Sequence, residues 1–232
     1  VSVWLLYVAF EPYVRGRWPQ TLISWTRLLM GRLRDPLVGR AVLTGCLFGI
    51  GLRLLLQLAY IAPMWLDQVP RAPDASGIGA LLGGSHLAAT LVAPWSIFWA
   101  LWTLFLLFAL RILLRRQWIA TMWCVVVIAA SWFLMDAGTY AGSSNATTVA
   151  IVFLFYGLFV SVAVVALLRF GLLSLAVAFL FEDCLRFIPI TLDFSAWYAT
   201  GSLVTMLLLL AVAVYGFHTA LAGRPLLKED ML

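Results

Sequence analysis

A series of six apolar runs is the feature of this sequence that most constrains its fold. Each run has about 20 residues or more, and a helix of that length crosses a hydrocarbon core of about 30 Å. Strand-like alternation does not extend over a useful length, so helices are the remaining way to satisfy the backbone in lipid. We predict an all-α, polytopic transmembrane helical bundle with full spans near 41–62, 88–114, 118–136, 147–168, 172–190 and 198–219.

Composition supports a membrane environment. The chain is 64% hydrophobic and 11% charged, whereas about 25% of a soluble domain is charged. A soluble fold has too little interior to hide this much apolar surface, so the lipid bilayer is the predicted solvent and partner.

The first ten residues, VSVWLLYVAF, form a shorter apolar run. Ten helical residues rise about 15 Å, which is half of the hydrocarbon core. We therefore expect 1–10 to be the end of a truncated first transmembrane helix. The predicted organisation is this partial span, an arginine-rich cytoplasmic segment over 11–40, a six-helix membrane domain over 41–220 and a cytoplasmic tail over 221–232.

Basic residues give the predicted helices a direction. The segment 11–40 is rich in arginine, and further basic residues fall in later turns on the same side of the predicted bundle. Cytoplasmic loops of membrane proteins carry the excess of Lys and Arg, so this side and the C-terminus are predicted to be cytoplasmic. The same rule explains the net charge of +5 without nucleic acid as a partner. The interfacial basic residues of the segment are Arg15, Arg17, Arg27, Arg32, Arg34 and Arg40.

Within this segment, residues 22–34 have the pattern of an amphipathic helix. At about 100° per residue, apolar side chains collect on one face, while Arg27 and Arg34 fall on the other. We expect this helix to lie in the membrane interface. The alternative is a docking surface for a cytoplasmic domain of the same protein or for a partner. The predicted apolar face consists of Leu22, Ile23, Trp25, Leu29, Met30 and Leu33.

A second pattern is a stripe of four residues, each four positions apart, on the predicted helix 41–62. Gly45 and Gly49 form a GxxxG pair, which lets another helix approach closely. Arg53 falls near mid-membrane, where a charged group is costly and should face protein or a cavity. Gln57 continues the stripe, so we expect all four residues on one face.

Candidate partners for Arg53 lie on the predicted helix 172–190. Glu182 and Asp183 are adjacent there, and Arg186 follows about one turn later. We predict an ion pair between Arg53 and Glu182 or Asp183. The alternative is that Arg186 neutralises the acids locally, while Arg53 bonds to carbonyls or extends to the interface. Together with Gln57, these residues are the candidate intramembrane polar cluster.

We find no catalytic, cofactor or metal motif in the sequence. It contains no phosphate loop, no HRD or DFG triplet and no nucleophile elbow. The two histidines, His86 and His218, fall at opposite ends of the predicted bundle and cannot share a metal ion. The tryptophans fall mostly near predicted helix ends, where interface anchoring explains them. Examples are Trp18, Trp65, Trp118 and Trp197.

Three stretches resemble the C-terminal membrane region of certain bacterial serine/threonine protein kinases, of the kind abundant in acidobacteria. They are EPYVRGRWPQTLISWTRLLMGRLRDPLVGR, IPITLDFSAWYATGSL and AVYGFHTALAGRPL. In such proteins a cytoplasmic kinase domain precedes the membrane region. The resemblance therefore implies a kinase domain in the same polypeptide and a bacterial inner membrane. It carries over no catalytic residue, because the kinase motifs do not occur in these residues.

Three functions remain open at this point. The first is a membrane-anchoring module that also takes part in signal input to a kinase. The second is a small transporter or channel subunit that uses Arg53, Glu182 and Asp183 as a polar pathway. The third is a purely structural subunit of a larger complex. An oligomer is compatible with all three.

Overall fold

The structure is a computed structural model, and 90% of it is helical, with no strand in the residues it describes. The prediction of an all-α fold is confirmed. The described residues are 19–66, 85–135, 146–188, 190–191, 193, 195–196 and 199–221. The helices are α1 (Pro19–Leu29), α2 (Pro36–Ile61) with a following 3-10 helix (Ala62–Leu66), α3 (Ser85–Leu114), α4 (Gln117–Met135), α5 (Ala146–Phe170), α6 (Leu172–Phe187) and α7 (Ala199–Leu221).

Five of these helices are long and apolar enough to cross a membrane. They are α2 with its 3-10 extension, α3, α4, α5 and α7. Large apolar side chains such as Leu47 and Leu154 are exposed on their outer faces. In water such surfaces would be unfavourable, and in lipid they are matched by the acyl chains. The chain is therefore a multi-pass membrane protein.

The predicted span 172–190 is a shorter helix. α6 has 16 residues, about 24 Å at 1.5 Å per residue, which is less than a hydrocarbon core of about 30 Å. Ile188 then adopts an extended conformation. A count of six full spans is thus not confirmed. The predicted partial span over 1–10 and the tail beyond Leu221 lie outside the described residues.

α6 lies at the centre of the bundle. Twelve of its sixteen residues are buried, and α2, α3, α5 and α1 all pack against it. Leu172 and Leu175 are completely buried. Because protein surrounds this helix, it is shielded from lipid, and it tolerates both a short length and charged side chains.

A single residue, Gly171, joins α5 to α6. Its φ of +91° is a conformation that residues with a side chain rarely adopt, and a Cβ there would lie 2.8 Å from the carbonyl oxygen of Thr21. Its N–H donates to the carbonyl of Leu167 at 3.0 Å. The chain reverses at this point, so that α5 and α6 lie side by side. Since Thr21 belongs to α1, the contact also places α1 at the start of α6.

α2 and α6 approach each other closely. A Cβ built at Gly45 would lie 2.7 Å from the carbonyl oxygen of Ser174, and one built at Gly49 would lie 2.6 Å from that of Ala178. Ser174 also donates its hydroxyl hydrogen to the carbonyl of Ala41 at 2.9 Å. The two backbones are therefore in contact, as small residues at membrane helix interfaces allow.

α1 is shorter than the helix predicted over 22–34. It ends at Leu29 because Gly31 takes a φ of +76°, and the Gly31 and Arg32 N–H groups donate to the carbonyls of Leu28 and Arg27 at 3.0 Å each. This is a Schellman motif. The prediction of one continuous helix over 22–34 is wrong.

The predicted apolar face of this segment is divided between two environments. Leu22 and Trp25 are buried against the bundle, whereas four other members are exposed. α1 is thus attached to the protein through one part of that face. The exposed members are Ile23, Leu29, Met30 and Leu33.

Asp35 begins the next helix. Its carboxylate accepts a hydrogen bond from the Leu37 N–H at 2.9 Å and pairs with the Arg27 guanidinium, and Pro36 occupies the first turn, where no N–H is needed. One carboxylate therefore both starts α2 and holds the end of α1.

The connections α1–α2, α3–α4 and α5–α6 lie at one end of the bundle, which we call the arginine end. The Tyr215 hydroxyl, near the end of α7, donates to the carbonyl of Leu33 at this end at 2.6 Å. Arg15 and Arg17 lie outside the described residues, and Arg27 is partly buried. The exposed arginines of this end are Arg32, Arg34, Arg40, Arg115, Arg116 and Arg169.

Candidate functional site

Two adjacent acidic residues lie inside the bundle near the end of α6. Glu182 is 1% exposed and Asp183 is 7% exposed. Burying a carboxylate away from water costs several kcal/mol unless charges or hydrogen bonds compensate for the lost hydration. The groups around these two side chains therefore define the site.

Arg53 of α2 lies within ion-pair distance of Glu182. Its Nη1 lies 3.9 Å from Glu182 Oε1, and the two side chains are 16% and 2% exposed. That distance is too long for a hydrogen bond, so the attraction is mainly electrostatic. Of the two acids considered as partners of Arg53, Glu182 is the one that the structure brings within ion-pair distance.

Asp183 has a different partner. Ser96 of α3 is fully buried and donates its hydroxyl hydrogen to Asp183 Oδ2 at 2.7 Å. Sequence reasoning missed Ser96, because a lone serine in an apolar run carries no recognisable signal. Arg186 lies about one turn further along α6, with its guanidinium carbon 5.3 Å from the centre of the Phe187 ring, within cation–π range.

Gln57 does not join the cluster. It is exposed, and the expectation that all four stripe residues share one face is wrong for it. Each step of four residues turns a helix by about 400°, which is about 40° more than a full turn. Three steps from Gly45 thus carry Gln57 about 120° around α2. Gly45 and Gly49 face α6, and Arg53 is the last of the stripe to reach it.

The two acids open onto a cavity of about 180 Å³ near the end of α6. Its walls come from α3, α4, α5 and α6, whereas Arg53 approaches Glu182 from α2. Most of the lining is aromatic. The lining residues are Trp95, Trp99, Trp132, Met135, Tyr156, Phe179, Glu182, Asp183, Arg186 and Phe187.

The aromatic wall is a continuous series of rings from three helices. Trp95 and Trp99 are 5.7 Å apart between ring centres, Trp99 and Trp132 are also 5.7 Å apart, and Trp132 and Tyr156 are 6.4 Å apart. All three pairs meet nearly edge to face, a favourable arrangement for aromatic quadrupoles. The apolar pattern of the sequence does not predict this wall. The signal was the spacing of Trp95 and Trp99, which puts two indoles on one helix face.

Comparison of the chain with protein-family models, curated proteins and solved structures gave no match.

Proposed function

We propose that this chain anchors a bacterial signalling protein in the plasma membrane and relays the state of the aromatic cavity to its arginine end. The arginine end and the C-terminus face the cytoplasm in this proposal, because exposed arginines accumulate there. A cytoplasmic kinase domain preceding the membrane region in the same polypeptide receives the signal. The sequence resemblance supports that partner.

One observation carries the proposal: α6 touches both places that the signal has to connect. Its last turns carry Glu182 and Asp183, which line the cavity. Its first residues pack against α1, where the backbone of Thr21 meets Gly171. A movement of α6 caused at the cavity therefore acts directly on the segment that the resemblance places next to the kinase domain.

The packing of α6 favours transmission along its length. All residues over 172–179 are buried, and the α2 backbone lies against Ser174 and Ala178. Densely packed interiors deform little and transmit strain. A displacement at the acids is thus expected to move the start of α6 rather than dissipate within it.

A transporter or channel subunit is the second candidate, and the polar cavity is the observation that favours it. A transport pathway also has to continue to the other side of the membrane. The same dense packing over 172–179 fills the space along the axis of α6, so transport would need a large rearrangement. We therefore favour signal input.

The first test is the reading frame upstream of Val1. We expect it to encode a kinase domain with a glycine-rich loop and the HRD and DFG triplets. An upstream region without such a domain would contradict the kinase part of the proposal and leave the relay through α6 to be tested separately.

The second test measures the relay. The described cysteines, Cys46, Cys124 and Cys184, are buried, so a cysteine introduced at the exposed position Leu29 on α1 takes up a nitroxide label selectively. Asp183→Asn keeps an acceptor for Ser96 while removing the negative charge. We expect this variant to change the electron paramagnetic resonance spectrum of the label.

The matched control is Asp193→Asn, the same substitution at an exposed position in the α6–α7 connection. This variant should leave the spectrum unchanged. If Asp183→Asn also leaves it unchanged while the protein stays folded, the chain is an anchor only, and the signal-input proposal is wrong.

A further inference from the structure

The size of the cavity limits what it can hold. Its volume is about 180 Å³, and a protein cavity of about 150 Å³ accommodates benzene. A ligand of about that size fits, whereas a peptide or a nucleotide does not. Met135 and the half-exposed Trp95 lie at its edge.

The charged groups at the cavity are two carboxylates and two arginines. Glu182, Asp183 and Arg186 line the cavity, and Arg53 lies 3.9 Å from Glu182 on the side of α2, so the formal charges of the four groups cancel when all are ionised. The hydroxyl of Ser96 donates to Asp183, but it is neutral and does not cancel the charge of that carboxylate. A cation placed in the cavity beside Asp183 would be attracted to it.

The aromatic wall favours the same sign of charge. The face of an indole or phenol ring carries negative potential, and several rings around one space attract ammonium groups, most strongly when water is excluded. Trp99, Trp132 and Tyr156 come from three different helices and are at least partly buried. Helices fix such rings more firmly than loops do, which lowers the entropy cost of binding.

We infer that the cavity formed by Trp95, Trp99, Trp132 and Tyr156 with Glu182 and Asp183 binds a small organic ammonium cation. The inference rests on the proposed function in one respect, since it names the ligand class of the same cavity. Binding itself can be measured without any signalling readout, so the two proposals fail separately.

The decisive experiment compares two ligands of the same shape. Choline and 3,3-dimethyl-1-butanol have nearly the same shape. The atom that carries the three methyl groups is a positively charged nitrogen in choline and a neutral carbon in the alcohol. Each is titrated calorimetrically into the full chain in a maltoside detergent that contains no choline. We expect choline to bind at least about tenfold more tightly, which is the scale of a desolvated cation–π interaction. Equal affinities, or no binding of either ligand to folded protein, would overturn the inference.

Variants then place the ligand. Asp183→Asn and Trp99→Leu should each weaken choline binding about tenfold. Trp118→Leu is the matched control, because Trp118 is 61% exposed and lies at the arginine end, away from the cavity. If Trp118→Leu weakens binding as much as Trp99→Leu does, the ligand is not in the cavity and the inference is wrong.

Betaine tests the role of Arg186. It carries the same trimethylammonium group as choline and adds a carboxylate. If betaine binds more tightly than choline and Arg186→Gln abolishes that advantage, the ligand class is zwitterionic and the assignment to a simple cation is overturned. Weaker binding of betaine supports a cation.

The ammonium group can come from a free solute or from a lipid headgroup. Repeating the choline titration in lipid nanodiscs with and without phosphatidylcholine separates these sources. Competition by the lipid identifies a headgroup, whereas unchanged choline binding identifies a free solute. Either result supports an ammonium site.

Discussion

The two halves of α6 differ in how they are held. Residues 172–179, the packed half, are buried without interruption and lie against the backbone of α2. Residues 180–187, the polar half, contain two acids and an arginine, and they border a cavity. Close packing fixes position through short-range repulsion, which changes steeply with distance. Charges act over longer distances and tolerate rearrangement. One helix thus joins a rigid region to a region that can respond to a ligand.

The polar half should show the largest effect of a single substitution. Arg53→Met removes the guanidinium that lies 3.9 Å from the buried Glu182 carboxylate, and breaking a buried pair costs about 3 kcal/mol or more of unfolding free energy. Titration with SDS in mixed micelles measures that loss. The control is Gln57→Leu, one turn along the same helix and exposed, which should change the free energy of unfolding by less than about 0.5 kcal/mol.

Charge exchange sharpens this prediction. The double variant Arg53→Glu with Glu182→Arg should be more stable than either single reversal, because each single change places like charges together. A double variant no more stable than the singles would mean that the 3.9 Å separation does not represent a stabilising pair.

The packed half should respond to the smallest possible added volume. Gly45→Ala puts a methyl group 2.7 Å from the carbonyl oxygen of Ser174 and 2.6 Å from Val177 Cβ, and backbone cannot move aside cheaply. We expect a loss of about 1–3 kcal/mol in the free energy of unfolding. Gly51→Ala is the matched control, since no heavy atom beyond its chain neighbours and the nearby backbone of its own helix lies within 4 Å of its new methyl group. It should be neutral or stabilising, because alanine favours helix over glycine.

If Gly45→Ala is tolerated as well as Gly51→Ala, the two halves of α6 do not differ in the way described. The same substitution also tests the relay. If it shifts α6, the electron paramagnetic resonance spectrum of the nitroxide label on α1 should change. Both measurements can be made on the same labelled protein.

The positions of the helices were largely predictable. Long apolar runs are a strong signal, and α4, for example, was expected over 118–136 and is found over Gln117–Met135. The ends of helices depend on single residues: Gly31 ends α1 at Leu29, before the predicted end at 34, and Pro36 begins α2 before the predicted start at 41. Trp65 and Trp118 are exposed at helix ends, where interface anchors were expected.

The neighbours of each helix face were harder to predict. In a span that is apolar all round, the pattern does not reveal which side meets protein and which side meets lipid. The pattern therefore does not predict that Trp95, Trp99 and Trp132 face a cavity. Gln57 fails for a different reason, which is the rotation of about 120° that separates it from Gly45 around α2. The charged residues were informative, because their cost in a membrane demands a protein environment. Glu182, Asp183 and Arg53 therefore indicated the site, while Ser96 and the aromatic wall did not.

A hydrogen bond between helices in the packed half should have a smaller effect. Ser174→Ala removes the bond from the Ser174 hydroxyl to the Ala41 carbonyl without adding volume. Such bonds between membrane helices contribute about 0.6 kcal/mol on average, and we expect a loss of about that size in the SDS titration. Ser131→Ala is the control, because the Ser131 hydroxyl donates to Val127 within its own helix. A loss above about 2 kcal/mol would show that this bond, and not backbone packing, holds the packed half in place.

The smallest predicted effect concerns Asp35, which positions α1 at the start of the packed half. The Leu37 N–H, followed by the Arg27 guanidinium, lowers the pKa of this carboxyl from its usual value of 3.8. Because the folded pKa is the lower one, Asp35 stabilises the fold at pH values above about 4, and this contribution is lost as the pH falls through the folded pKa. Asp35→Asn keeps the helix cap but removes the charge, so at pH 7 it should cost only about 0.5 kcal/mol, the scale of an exposed ion pair. The difference between the two proteins should shrink as the pH falls from 7 through the folded pKa of Asp35, whereas a difference that stays constant over that range would assign the effect to the cap geometry instead of the charge.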